Sequence, residues 1–278
     1  MSELHVGYNT NGFAHHRLED ALTILSDLEY QSVAITLDYH ALDPFDRDGL
    51  RRQIPPVRRA LAPLRAGAAI ETGARFLLDP TRKHQPTLVS HSDKDRGERF
   101  DFLSRAVDVA AELEIDVVSF WSGTPDRSAS PDALMKRLVQ GCKRLCDHAA
   151  DKGVRLAFEP EPGMFIDTMD KFADLFERVN HPAFGLTLDI GHLQCMGEVP
   201  MEPHIRRWKD VLWNVHIEDM KRGVHDHLMF GEGEIDFPPV LRALREIGYA
   251  GGVHVELSRH SHDAVETARK AIEFLREC

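Results

Sequence analysis

Cysteine is scarce in this chain. Four cysteines among 278 residues are too few for the disulfide framework of a small secreted fold. Cys142 and Cys146 stand four apart in a helix-like stretch, which is not a zinc-finger spacing, so they read as packed helix thiols and a reducing, cytoplasmic setting is expected. Long apolar runs are missing too. No window reaches the 18 or more apolar residues of a membrane span, so no membrane partner is expected. The opening "MSELHVGYNT" lacks a basic region followed by an apolar run, so no secretion signal is read. Positive charge is in deficit. With 34 Lys and Arg against 45 Asp and Glu, the net charge is −11, which argues against a broad nucleic-acid face but not against a local basic pocket. No low-complexity segment and no interdomain linker breaks the chain, so residues 1–278 are expected to form one domain. No dinucleotide fingerprint is present either, since "GYNTNGF" at 7–13 does not match G-x-G-x-x-G.

What is present is an alternation. Short apolar runs rich in β-formers fall at 4–9, 32–38, 66–72, 116–122, 155–160, 184–190, 212–219 and 251–258. Their near-continuous apolar character suits parallel strands covered on both faces. Between them lie amphipathic stretches at 18–28, 99–113, 132–153, 168–179, 236–248 and 262–277. Thr168 and Asp236 are placed as N-caps, and Gly153 and Gly248 as helix stops. Eight β-then-α units in this length predict a closed (β/α)8 TIM barrel, an α/β fold with parallel strands. The long irregular stretch 73–98 is expected to wall or cover the site.

In such barrels the active site forms at the C-terminal ends of the strands. The fifth expected strand ends in Glu159, the sixth in Asp189, the seventh in His216 and the eighth in Glu256. Four successive strands thus aim one metal-ligating residue each at the same mouth. Three clustered carboxylates repel one another unless a proton or a cation intervenes. Three carboxylates and one imidazole suit a single divalent ion, Mn2+ foremost, with Mg2+, Co2+ and Zn2+ as alternatives. Glu161 competes with Glu159, but Pro160 and Pro162 mark a loop already begun.

Other polar residues crowd the same rim. Candidates for substrate contact are His192, Glu71, Arg75, Trp121, Lys221, Arg222, His227 and Arg259. Each has a plainer alternative: a helix cap for His192, a mutual ion pair for Glu71 and Arg75, core packing for Trp121, and solvation for the rim charges. Asp219, His225, His260 and His262 belong to the same group of rim residues. Gly231 and Gly233 would permit a tight turn over the site.

The stretches "LAFEPEPG", "LTLDIGHL", "NVHIEDM" with "GEGEIDF", and "GVHVELS" resemble the xylose isomerase-like TIM barrel superfamily, which includes sugar phosphate isomerases and epimerases and the endonuclease IV-type AP endonucleases. The resemblance runs along essentially the whole chain and is strongest over 154–260. It implies one metal held by Glu159, Asp189, His216 and Glu256. It also implies that Glu159 and Glu256 act as catalytic acid and base on the carbon next to a carbonyl, through a metal-stabilised enediolate, with His192 on substrate oxygens. The AP endonuclease pattern is incomplete here. The fourth strand ends in "FWSG" without a histidine, and "HDH" at 225–227 only partly matches a D-x-H metal pair.

The expected function is therefore a metal-dependent isomerase or epimerase of a keto-sugar, cyclitol or related hydroxy-carbonyl compound. A metal-dependent lyase or dehydratase on a keto-sugar, inosose or keto-glycoside is the alternative, with an AP endonuclease and a non-catalytic binding protein ranked below. The expected partners are a small carbohydrate-like substrate and further copies of the chain.

Overall fold

The computed structural model describes residues 3–278. Ten strands occur among them: β1 His5–Asn9, β2 Ser32–Thr36, β3 Ala69–Glu71, β4 Val117–Phe120, β5 Arg155–Phe158, β6 Phe184–Asp189, β7 Leu212–Ile217, β8 Asp219–Lys221, β9 Val224–Leu228 and β10 Gly252–Val255. Eight form a closed barrel in the order β1-β10-β7-β6-β5-β4-β3-β2, and β8 and β9 form a separate two-stranded sheet. Every barrel pairing with a recorded register is parallel. All residues of β2, β3, β4 and β6 are buried, as strands covered on both faces must be. The fold is the (β/α)8 barrel.

The α-helices are α1 Leu18–Asp27, α2 Arg47–Ala60, α3 Asp93–Leu113, α4 Pro131–Asp151, α5 Met169–Val179, α6 Ile190–Met196, α7 Glu202–Trp208, α8 Phe237–Glu246 and α9 Ala264–Glu277. Helix starts follow local chemistry. Ser92, Ser130 and Thr168 each accept the backbone N–H three residues on. Asp236 occupies the N-cap position of α8 but makes no capping hydrogen bond. Gly153 and Gly248 follow their helices with φ of 70° and 67°, the left-handed turn that glycine adopts without strain.

The chain divides into two compact units. In the first, of residues 3–35, 55–69 and 186–278, β1, β7 and β10 pair in register. His254 lies beside β1, where a Cβ on Gly7 would collide with its ring. The second unit, of residues 36–54 and 70–185, packs Phe120, Phe158, Phe172, Phe176 and Phe184 ring against ring. Cys142 and Cys146 are buried in α4, and burial pushes the Cys146 thiol up to about 12, consistent with packed thiols rather than metal ligands.

Three helices were not anticipated. α2 carries Pro55 and Pro56 in its interior, normally a stop signal, yet Ile54, Val57, Leu61 and Leu64 still bury one stripe. α6 and α7 span seven residues each, too short for a periodic pattern. Strand β9 precedes the glycine turn at 231–233, and α3 begins at Asp93, which shortens the irregular stretch expected over 73–98. Among the described residues no helix is long and apolar enough to cross a membrane.

Candidate active site and metal centre

Parallel registry aligns the ends of the strands. Asp189 lies opposite His216, and His216 opposite His254, two residues before Glu256. His216 Nδ1 is 2.9 Å from Glu256 Oε2 and 3.8 Å from Asp189 Oδ2. Asn11, just past β1, donates from Nδ2 to Glu256 Oε1 at 2.7 Å. Asp189 Oδ1 caps α6 by accepting the His192 N–H at 2.7 Å. Its Oδ2 is buried and has no hydrogen-bond partner. Glu159, at the end of β5, is buried, and its N–H continues the ladder to Phe120 O at 2.8 Å. One ligand atom from each of Asp189, His216 and Glu256 lies within 4.8 Å of the others.

A buried polar chain runs beneath His216. Its Nε2 is 3.1 Å from Asn214 Nδ2, Asn214 Oδ1 is 2.7 Å from His254 Nδ1, and His254 Nε2 is 2.8 Å from Ser32 Oγ. Burial holds the His254 imidazole down to about 3, so it is neutral and each ring nitrogen is used. With the His216 Nε2 accepting from Asn214 Nδ2, this chain holds the plane of the ring and turns its Nδ1 toward Asp189 and Glu256.

Glu218 is a carboxyl that the sequence reading missed. It is fully buried with both oxygens unpaired, and a Cβ on Gly191 would strike its Oε1. Burial, then the charges of Asp189 and Glu256 and a side-chain hydrogen bond that the protonated carboxyl can give Asp189, raise it well above the ordinary carboxylate range, which favours its protonated form. Burial works against ionisation of Asp189 and Glu256 as well, yet the neighbouring histidines hold both below the ordinary range. The cluster therefore concentrates negative charge in a buried place, with at least one lone pair unused.

The rim residues divide. His192 and His227 lie close to the cluster: His192 Nε2 is 3.5 Å from Asp189 Oδ2, and His227 Nδ1 donates to the Glu256 carbonyl at 3.1 Å. Burial lowers His192 to about 4. Lys221 and Arg222 are exposed at the turn between β8 and β9, with the Arg222 guanidinium across Gly197. Arg259 pairs with Asp226 at the surface. Arg75 lies 3.9 Å from Asp38, and Glu71 is buried at the end of β3. Trp121 is buried, with the Arg99 guanidinium over its ring at 4.4 Å and His84 edge-on at 5.4 Å. Asp219, read as a rim group, is a scaffold. Its carboxylate accepts the N–H groups of Met220, Gly231, Gly233 and Ile235 at 2.9–3.1 Å. It holds the glycine turn rather than a ligand.

A closed parallel barrel with acidic residues at the ends of its later strands defines a class of barrels. Residues 33–278 match the family described as the xylose isomerase-like TIM barrel, and the chain belongs to that family. L-Ribulose-5-phosphate 3-epimerase UlaE of Shigella flexneri is 26% identical over 212 residues, 75% of this chain and 74% of that protein. Among solved structures, the 3-keto-D-glucoside 4-epimerase YcjR of E. coli superposes with a TM-score of 0.79 at 17% identity, over 99% of this chain and 100% of that one. The D-allulose 3-epimerase of a Methylomonas species does so with a TM-score of 0.74 at 22% identity, over 100% and 98%.

Proposed function

We propose that this protein is a divalent-metal-dependent epimerase or isomerase of a keto-sugar, built as one domain, in which Glu159 and Glu256 exchange a proton with the carbon next to a carbonyl. The observation that carries the reading is the unpaired, buried Asp189 Oδ2; the donor atoms of Asp189, His216 and Glu256 lie within 4.8 Å of one another, and Glu159, at the end of β5, is the third carboxylate of the proposed set. Leaving such charge uncompensated costs several kcal/mol, and this donor set suits Mn2+ or Mg2+. A bound divalent cation would polarise the carbonyl and offset the charge that develops on its oxygen.

The residues of the chain do the rest. Glu256 is oriented from both sides, by Asn11 Nδ2 at 2.7 Å and His216 Nδ1 at 2.9 Å, so its carboxylate is held for proton transfer rather than free to rotate. Glu159 is its counterpart from β5, and an epimerisation needs one group to remove the proton and another to return it. His192, buried and neutral, can donate to or accept from a hydroxyl. The epimerase names of the matched relatives support a sugar substrate.

The test is incubation with keto-sugars and added Mn2+ in D2O, followed by NMR. Deuterium entering next to the carbonyl with no loss of a leaving group supports the proposal. Release of water or an aglycone instead assigns an eliminating enzyme.

A further inference from the structure

We propose that the cleft between α3 and α4 is a binding site for a small organic phosphate. A cavity of about 490 Å³ opens there, walled by Arg96, Arg137, Lys143 and Arg144. Helical spacing sets these residues together. Asp93, Arg96, Gly97 and Phe100 stand at i, i+3, i+4 and i+7 of α3, and Arg137, Gln140, Gly141 and Arg144 repeat that spacing in α4. Each helix thus turns one stripe toward the cavity. Such a stripe between helices is ordinarily apolar; here it gathers four cations and one acid, in a chain of net charge −11.

The guanidinium groups are placed in advance. Arg96 Nη1 donates to the carbonyls of Ser90 and His91 at 2.7 Å each. Arg137 Nη1 donates to the Val89 carbonyl and to Asp126 Oδ2, both at 3.3 Å. Burial, then the charge of Arg137, lowers Arg96 from the ordinary arginine range. Arg96 also pairs with Asp93, a carboxylate otherwise in solvent. Arg144 lies over the Phe100 ring, 4.2 Å from its centroid, and among the described residues neither Arg144 nor Lys143 meets a carboxylate. Positive charge is left in excess. A guanidinium fork matches phosphate oxygens two at a time, and a lysine adds a point charge.

Two glycines shape the room. Gly97 and Gly141 lie inside helices, where glycine is the weakest former short of proline, and neither has a positive φ. Packing explains Gly141, since a Cβ there would come 3.2 Å from Leu88. It does not explain Gly97, where a Cβ would meet nothing within 4 Å; the space it leaves belongs to the cavity. The volume falls in the range of about 300–1,000 Å³ typical of small-molecule sites, more than a bare phosphate fills. Cations confined to one cavity favour a small ligand over a nucleic acid, which needs a basic face or stripe. None of these residues ends a strand, so the site does not depend on the proton-transfer reading.

Calorimetric titration of the full-length, chelator-treated chain tests the site, with ribose 5-phosphate and inorganic phosphate as ligands and ribose as the control. One ribose 5-phosphate per chain is expected, inorganic phosphate should compete for it, and ribose should give no heat. Arg137→Gln and Lys143→Gln should each weaken binding at least about ten-fold. Gly97→Leu changes no charge but fills the cavity, so it should abolish binding while the ligand-free Tm holds or rises. Should Arg137→Gln fail to fold, Lys143→Gln and Gly97→Leu, both at exposed positions, carry the test. Binding left intact by these two variants places the ligand elsewhere and overturns the proposal. Ribose binding as tightly as its phosphate, or no binding of either phosphate at millimolar concentration, overturns it as well.

Discussion

Glu218 and Asp219 are neighbours just past β7, and both are buried, yet their carboxyls meet opposite fates. Asp219 accepts four backbone N–H groups; Glu218 accepts none. Asp219 closes the turn that returns the chain from β9. Glu218 faces Asp189 across Gly191, whose lack of a side chain makes the room. A carboxylate saturated by amides is architecture. A carboxyl left with unused lone pairs beside other acids belongs to a charge cluster that calls for a proton or a cation. Burial alone does not separate the two roles; the hydrogen-bond count does.

Glu256→Gln probes the functional side of that contrast most severely. It keeps the size of the side chain but removes what we propose as the proton-accepting group and a metal donor, so turnover should fall by at least about 10^3-fold with the circular dichroism unchanged. Retained turnover would reassign the proton transfer. On the architectural side, Asp219→Ala leaves four amides without their acceptor and should cost about 3 kcal/mol or more of unfolding free energy in denaturant titration. Glu218→Gln should cost less than about 1 kcal/mol, because burial already favours the uncharged form of the side chain it replaces. Equal losses for the two variants would erase the distinction between these neighbours.

A smaller effect should come from the second unit. Burial lowers His84 to about 4, and its Nδ1 donates to the Gly73 carbonyl at 2.7 Å. The unfolded chain takes up this proton near 6.5, whereas the folded chain resists it until near 4. Stability contributed by neutral His84 is therefore present above pH 6.5 and is lost as the pH falls toward 4, by no more than about 1.4 kcal/mol per pH unit. Melting of His84→Gln between pH 7 and pH 5 should be flatter than that of the wild type, and identical slopes would contradict the assignment.

The barrel was legible because parallel strands are buried on both faces and advertise themselves as apolar runs; each of the eight stands where the alternation put it. Glu159, Asp189, His216 and Glu256 were legible for a related reason, since each ends such a run with a residue that is costly to bury. What escaped depends on contacts distant in sequence. Nothing local in "IEDM" says that Asp219 will find the amides of Gly231 and Gly233 while Glu218 finds none. Asn11 lies 245 residues from the carboxylate it orients, and no local signal announces that pairing. Asn214 and His254 sit in strands that read as merely apolar, and their polar chain appears only once β7 and β10 are paired. α2 was hidden by Pro55 and Pro56, whose cost is outweighed by the apolar stripe beneath them.

Melting the metal-free protein with and without saturating Mn2+, in the wild type and in Asp189→Asn, tests the central claim most directly. At 100 times its dissociation constant, a cation bound only by the folded state adds about 2.7 kcal/mol, so the wild-type Tm should rise by several degrees and that of Asp189→Asn should rise far less. A wild-type Tm indifferent to Mn2+, or an equal rise in both proteins, would contradict it.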